Sequence, residues 1–136
     1  MQKIAAVLLI CLSMAGQVSA QAGTQPEITE VIRKQIDAFL KDDFDGAFSY
    51  ASPNIRGLFG TSANFGRMVK QGYPMVWRPA DVTFGEAKTA GPNVFQRVVI
   101  RDVEGAVHVL EYEMIPAADT WKINGVRLVR APQLGA

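Results

Sequence analysis

At Pro79 the spacing of apolar residues changes from a period near 3.6 to a period of 2, and it never changes back. Upstream, Ile28, Val31, Ile32, Ile36, Phe39 and Leu40 form a helical stripe, with Glu30, Arg33, Lys34 and Asp37 on the wet side. Pro26 suits the first turn, where its missing N–H has no helical partner. Asp42 and Asp43 offer caps for a second helix carrying Phe44, Ala47, Phe48 and Ala51. Ser52-Pro53 restarts a third piece with Ile55, Leu58 and Phe59, which Gly60 breaks. Ser62 is read as the cap of a fourth, with Phe65, Met68 and Val69, ending near Gly72. Downstream, Val82 and Phe84 alternate with polar residues, and the stretches 94–102, 106–115 and 121–129 read as strands. Helices first and strands last, with no β-α-β alternation, predict an α+β fold: N-terminal helices packed on one face of a four-stranded antiparallel sheet.

Parity fixes the register. Val94, Val98 and Ile100 lie on the apolar face of one strand, and Ala106, His108, Leu110, Tyr112 and Met114 on that of the next. Both faces must point the same way, so paired residue numbers sum to an even number and the connecting loop is odd. Val103-Glu104-Gly105 is such a loop, with glycine where a left-handed residue is usual. Ile100 then pairs with His108, Val98 with Leu110, and Arg97 with Glu111 on the outer face. In the last strand Trp121 and Ile123 are odd, whereas Val126 and Leu128 are even. One extra residue at Asn124-Gly125, a β-bulge, reconciles them and bends the strand. A bent sheet with helices in its concavity is a cone.

The ending Trp121-Lys122-Ile123-Asn124-Gly125-Val126 on such a sheet resembles the nuclear transport factor 2-like superfamily. Phe59-Gly60-Thr61, the block Gln71-Gly72-Tyr73-Pro74-Met75-Val76-Trp77-Arg78-Pro79, His108-Val109-Leu110 and Tyr112-Glu113-Met114 resemble, more closely, the exported bacterial family called domain of unknown function 4864. The resemblance spans roughly residues 27–132. It implies fold and compartment and carries no activity.

The N-terminus has its own pattern. One Lys precedes an uncharged run from Ile4 to Ala15, with small residues at Val18 and Ala20. Twelve residues of helix span about 18 Å, short of a hydrocarbon core of ~30 Å. Residues 1–20 therefore read as a signal peptide, 21–25 as a flexible leader, 26–132 as one domain and 133–136 as a tail. The expected product is exported: periplasmic in a Gram-negative host and otherwise secreted, with no membrane attachment after cleavage. Cleavage after Ala20 of the 136-residue chain leaves 116 residues and removes Cys11, the sole cysteine, so apolar packing replaces disulfides. Lys3 leaves too, giving 13 basic against 13 acidic residues. A net charge near zero without a basic cluster argues against nucleic-acid partners.

The residue types also narrow the chemistry. A single His and no Cys in the mature chain argue against a metal site, and Asp42, Asp43 and Asp45 lack the glycine and glutamate of a calcium loop. No nucleophile-elbow or phosphate-loop motif is present, so no catalytic residue and no cofactor is assigned. Gly57, Gly60 and Gly66 read as breaks and close packing between short helices. Tyr73, Met75 and Trp77 are expected to share one side of an extended segment, plugging the cone or lining its mouth, with Arg78 at the rim. His108, Leu110 and Tyr112 follow on the inward face. Tyr73, Trp77, Arg78, His108, Leu110 and Tyr112 are thus the candidate ligand-binding residues. The leading reading is a non-catalytic domain that binds an apolar small molecule or a protein partner at the cone mouth. Two others stay open: a homodimeric assembly module meeting through Phe95 and Val99 on the outer sheet face, and a cone-fold isomerase or hydrolase using His108 and Tyr112.

Overall fold

The computed structural model describes residues 25–133; the segment 1–20 expected to be a signal peptide, most of the expected leader and the last three residues lie outside them. Five helices, α1 (Pro26–Leu40), α2 (Phe44–Ser49), α3 (Pro53–Phe59), α4 (Ser62–Gly72) and α5 (Pro74–Trp77), precede four strands, β1 (Pro79–Ala90), β2 (Asn93–Asp102), β3 (Val107–Ala117) and β4 (Thr120–Gln133). The strands form one antiparallel sheet in the order β1-β2-β3-β4. The helices pack against the concave face of this curved, open sheet, the α+β arrangement that the change of period at Pro79 predicts.

The stripe on α1 is buried as expected at Ile28, Val31, Ile32, Ile36 and Phe39. Leu40, however, is 45% exposed, and Gln35 takes the inward position in its place. Gln35 tolerates burial because its Nε2 donates to the Ala47 carbonyl at 3.1 Å, tying α1 to α2. The caps differ by one residue from expectation. Asp43 alone caps α2, accepting from Gly46 N–H, and Thr61 rather than Ser62 caps α4, accepting from Asn64 N–H. Ala51 lies beyond the end of α2. Of the three glycines, Gly60 ends α3 at φ 81° and Gly66 permits close packing: a Cβ there would come 2.6 Å from the Phe44 ring.

The β2–β3 register is the one that parity demands: Val98 pairs with Leu110, Ile100 with His108 and Arg97 with Glu111. Asp102 N–H donates to the Ala106 carbonyl at 2.9 Å, closing the three-residue loop, and Gly105 sits at φ 90°. In β4 the partners step from Gly125 opposite Glu113 to Ile123 opposite Met114, so Asn124 is the extra residue of the expected bulge.

Further irregularities in β1 and β4 have no counterpart in the sequence reading. The β1–β2 pairing shifts between Phe84 and Ala87, turning Ala87 inward and Glu86 outward. Buried Gln96 serves that shift: its Nε2 donates to the Gly85 carbonyl at 2.9 Å. A second break in β4 lies opposite Val109 and Leu110, and it leaves Leu128 44% exposed. On the outer face Glu111 accepts from Arg127 Nε at 2.9 Å and faces Arg97 Nε at 3.9 Å, with half-buried Phe95 and Val99 beside this network.

Candidate functional site

The block from Tyr73 to Pro79 does not run extended. Pro74 occupies the first turn of α5, where its fixed φ suits a helix start, and the four-residue turn ends before Pro79. A helical turn rotates successive side chains by about 100° rather than 180°. Met75 and Val76 therefore enter the core, and Tyr73 and Trp77 point to different places.

Trp77 and Arg78 form a clamp. Trp77 Nε1 donates to Asp42 Oδ1 at 2.9 Å, and Arg78 Nη2 reaches the same oxygen at 2.9 Å. Arg78 Nη1 also donates to the carbonyls of Phe39 (2.7 Å) and Trp77 (3.1 Å), and its guanidinium lies 4.2 Å from the Trp77 ring centroid. The indole N–H, then the guanidinium, hold the Asp42 carboxyl below its ordinary range. Asp42 itself sits at φ 56°, the left-handed region, which places its carboxylate beneath both donors. The guanidinium expected at a rim is committed to the protein's own groups.

His108 lies nearby, on a groove shared with Pro74, Met75, Trp77, Arg78 and Val103. It is 7% exposed, and its Nε2 donates to Asp102 Oδ2 at 2.8 Å. The other Asp102 oxygen accepts the N–H groups of Glu104 and Ala106, both at 2.9 Å. The hydrogen bond from His108, with those two backbone bonds, lowers the Asp102 carboxyl. One side chain thus closes the turn and holds the imidazole, whose Nδ1 has no partner among the described residues.

Tyr73 and Tyr112 belong to a different place. Between α1, α3, α4 and the inner face of β3 and β4 lies a cavity of about 220 Å³. Its walls include Gln35, Phe39, Ile55, Leu58, Phe59, Phe65, Met68, Tyr73, Tyr112, Ile123 and Val126. Phe65 organises one side, with its ring centroid 5.9 Å from Phe39, 5.2 Å from Phe48 and 5.8 Å from Phe59. Leu58, 73% exposed, stands at the opening. The bulge matters here, since Gly125 and Val126 just beyond it line the cavity. Tyr73 donates through its hydroxyl to the Val126 carbonyl at 3.1 Å. Tyr112 is fully buried, and its hydroxyl has no partner among the described residues. Burial pushes that hydroxyl's pKa well above its usual value, so it keeps its proton throughout the physiological range.

The six candidate residues therefore divide. Tyr73 and Tyr112 line the cavity, Trp77, Arg78 and His108 border the groove, and Leu110 is buried between the two sets. His108 and Tyr112 are four residues apart on one strand, about 13 Å at 3.3–3.4 Å per residue. In the structure they border different hollows. Among the described residues no three His, Cys, Asp or Glu side chains gather as a metal site, and no helix is long and apolar enough to cross a membrane. Sequence reasoning passed over the walls supplied by α3 and α4. The available signal was the density of Ile55, Leu58 and Phe59 on a helix too short to bury them all.

The family model described as Domain of unknown function (DUF4864) matches residues 21–136. Comparison with curated proteins and with solved structures gave no match. The chain belongs to the DUF4864 family.

Proposed function

We propose, from that membership and the geometry of the concave face, that the chain is an exported, non-catalytic domain of the nuclear transport factor 2-like superfamily that binds a small apolar molecule in the cavity beneath α3 and α4. The observation that carries this reading is the cavity itself. This hollow opens to solvent and offers about 220 Å³ between apolar walls that include the polar side chains of Tyr73, Tyr112 and Gln35. Apolar walls with a few polar groups are the usual make-up of a small-molecule site. An engineered apolar cavity of ~150 Å³ holds benzene, so a substituted ring or a short branched chain fits. Export rests on the N-terminal pattern; intact mass of envelope-fraction protein starting at Gln21 supports it, and retained Met1 contradicts it.

The binding test is a titration with propiophenone followed by backbone amide shifts. Shifts should concentrate on residues 55–59, 65–73, 112 and 123–126. Met68→Trp, which fills the space from the half-buried wall, should weaken binding at least about tenfold while the melting temperature holds. Shifts scattered over the outer sheet face, or unchanged binding in Met68→Trp, would refute the reading.

A further inference from the structure

The walls of the cavity also restrict its ligand. None of the lining residues is Asp, Glu, Lys, Arg or His. An ionised group brought inside would be desolvated with no counter-charge, which proteins avoid. Tyr73 directs its hydroxyl at Val126, and Gln35 is anchored to Ala47. Of the lining side chains described, Tyr112 alone has a buried polar atom without a protein partner. Buried hydroxyls are nearly always hydrogen-bonded, so an exception next to a cavity needs an explanation.

We infer that the cavity's ligand is an uncharged molecule, about the size of one substituted ring, that buries a carbonyl or hydroxyl oxygen against the Tyr112 hydroxyl. The inference rests on the binding reading above and adds the chemical class. Tyr112 is then the specificity-determining residue. Its retained proton makes it a donor to the ligand's oxygen. The aromatic group around Phe65 and the aliphatic side chains of Ile55 and Met68 receive the apolar body, and Leu58 stands where it enters.

Three probes of similar size test this: propiophenone, its hydrocarbon isostere sec-butylbenzene, and the anion 2-phenylpropanoate. The wild-type protein should bind the ketone about 3- to 10-fold more tightly than the hydrocarbon, the range expected for one neutral hydrogen bond. The anion should bind at least about tenfold more weakly than the ketone. In Tyr112→Phe the ketone and hydrocarbon should come within about twofold of each other. Equal binding of ketone and hydrocarbon by the wild type overturns the inference and leaves the cavity reading standing. So does a preference that survives in Tyr112→Phe, or an anion that binds as well as the ketone. If no probe shifts the cavity residues, the binding reading itself fails and the inference with it. The wild-type comparison needs no variant, so it decides even where Tyr112→Phe folds poorly.

Discussion

Two regions on the inner side of the sheet treat their polar groups in opposite ways. Around the groove, Asp42 receives Trp77 and Arg78, Phe39 gives its carbonyl to Arg78, and Asp102 holds both its turn and His108. Around the cavity the walls are apolar, space remains, and the Tyr112 hydroxyl is buried without a protein partner. The groove carries the more reactive-looking residues, yet apart from His108 Nδ1 their polar groups named above are directed inward, at the protein. Conspicuous side chains therefore mark the place where the fold is fastened. The plainer aliphatic and aromatic walls enclose the space in which the ligand is proposed to sit.

Substitutions can break or sharpen that contrast. The largest effect should come from Phe39→Ala, because the ring both lines the cavity and packs against Phe44 and Phe65. Truncating a 1%-exposed Phe should cost about 3–5 kcal/mol in urea unfolding. A loss below about 1 kcal/mol would show that the cavity wall does not depend on this ring. Trp77→Ala comes next. The ring is half-buried and hydrogen-bonded, so a loss of about 2 kcal/mol is expected, less than for a core Trp. Propiophenone binding should stay within about twofold; a variant that keeps its melting temperature but loses the ligand would move the site to the groove.

Tyr112→Phe should reverse the sign. Removing a buried hydroxyl that has no protein partner should leave stability unchanged or raise it by up to about 1 kcal/mol. A loss above 1 kcal/mol would mean that the hydroxyl is already satisfied within the fold. The smallest effect concerns pH. The Asp42 and Asp102 carboxyls are lowered in the folded state, so their stabilisation is complete above the unfolded carboxyl pKa of about 3.9 and is lost as pH falls through the lowered folded values. Melting temperature followed below pH 5 should fall less steeply in Asp42→Asn than in the wild type. Parallel curves would remove the clamp from the account of acid sensitivity.

The fold was legible because it rests on periodicity and parity. The α1 stripe, the β2–β3 register and the extra residue at Asn124 all follow from which face an apolar side chain must take. Gln96 shows where that logic ends. A polar residue on the apolar face reads as a defect until the β1 shift places the Gly85 carbonyl within its reach, a non-local demand with no local signature. The site was legible only in part, for a similar reason. Treating 73–79 as extended put Tyr73 and Trp77 on one side, and a single helical turn at Pro74 separated them. Tyr112 was recoverable because it lies on a strand. The walls from α3 and α4 were not, since their placement depends on how short helices pack across a distance in sequence.

The bulge in β4 also bears on the order of assembly. Tyr50, Ala51 and Ser52 form a short parallel bridge to it: Ile123 N–H donates to the Tyr50 carbonyl, Ser52 N–H to the Ile123 carbonyl, and Ser52 Oγ to Asn124 Oδ1 at 2.7 Å. The last of these contacts spans 72 residues. Closing so long a loop carries an entropic penalty before any contact rewards it, and non-local pairings form late on that account. The segment leading into α3 gains this bridge only when the final strand arrives, whereas the far end of α3 is tied to α4 through Phe59, Asn64 and Phe65. On a growing chain, the N-terminal helices are made early and the chamber they will roof is completed last.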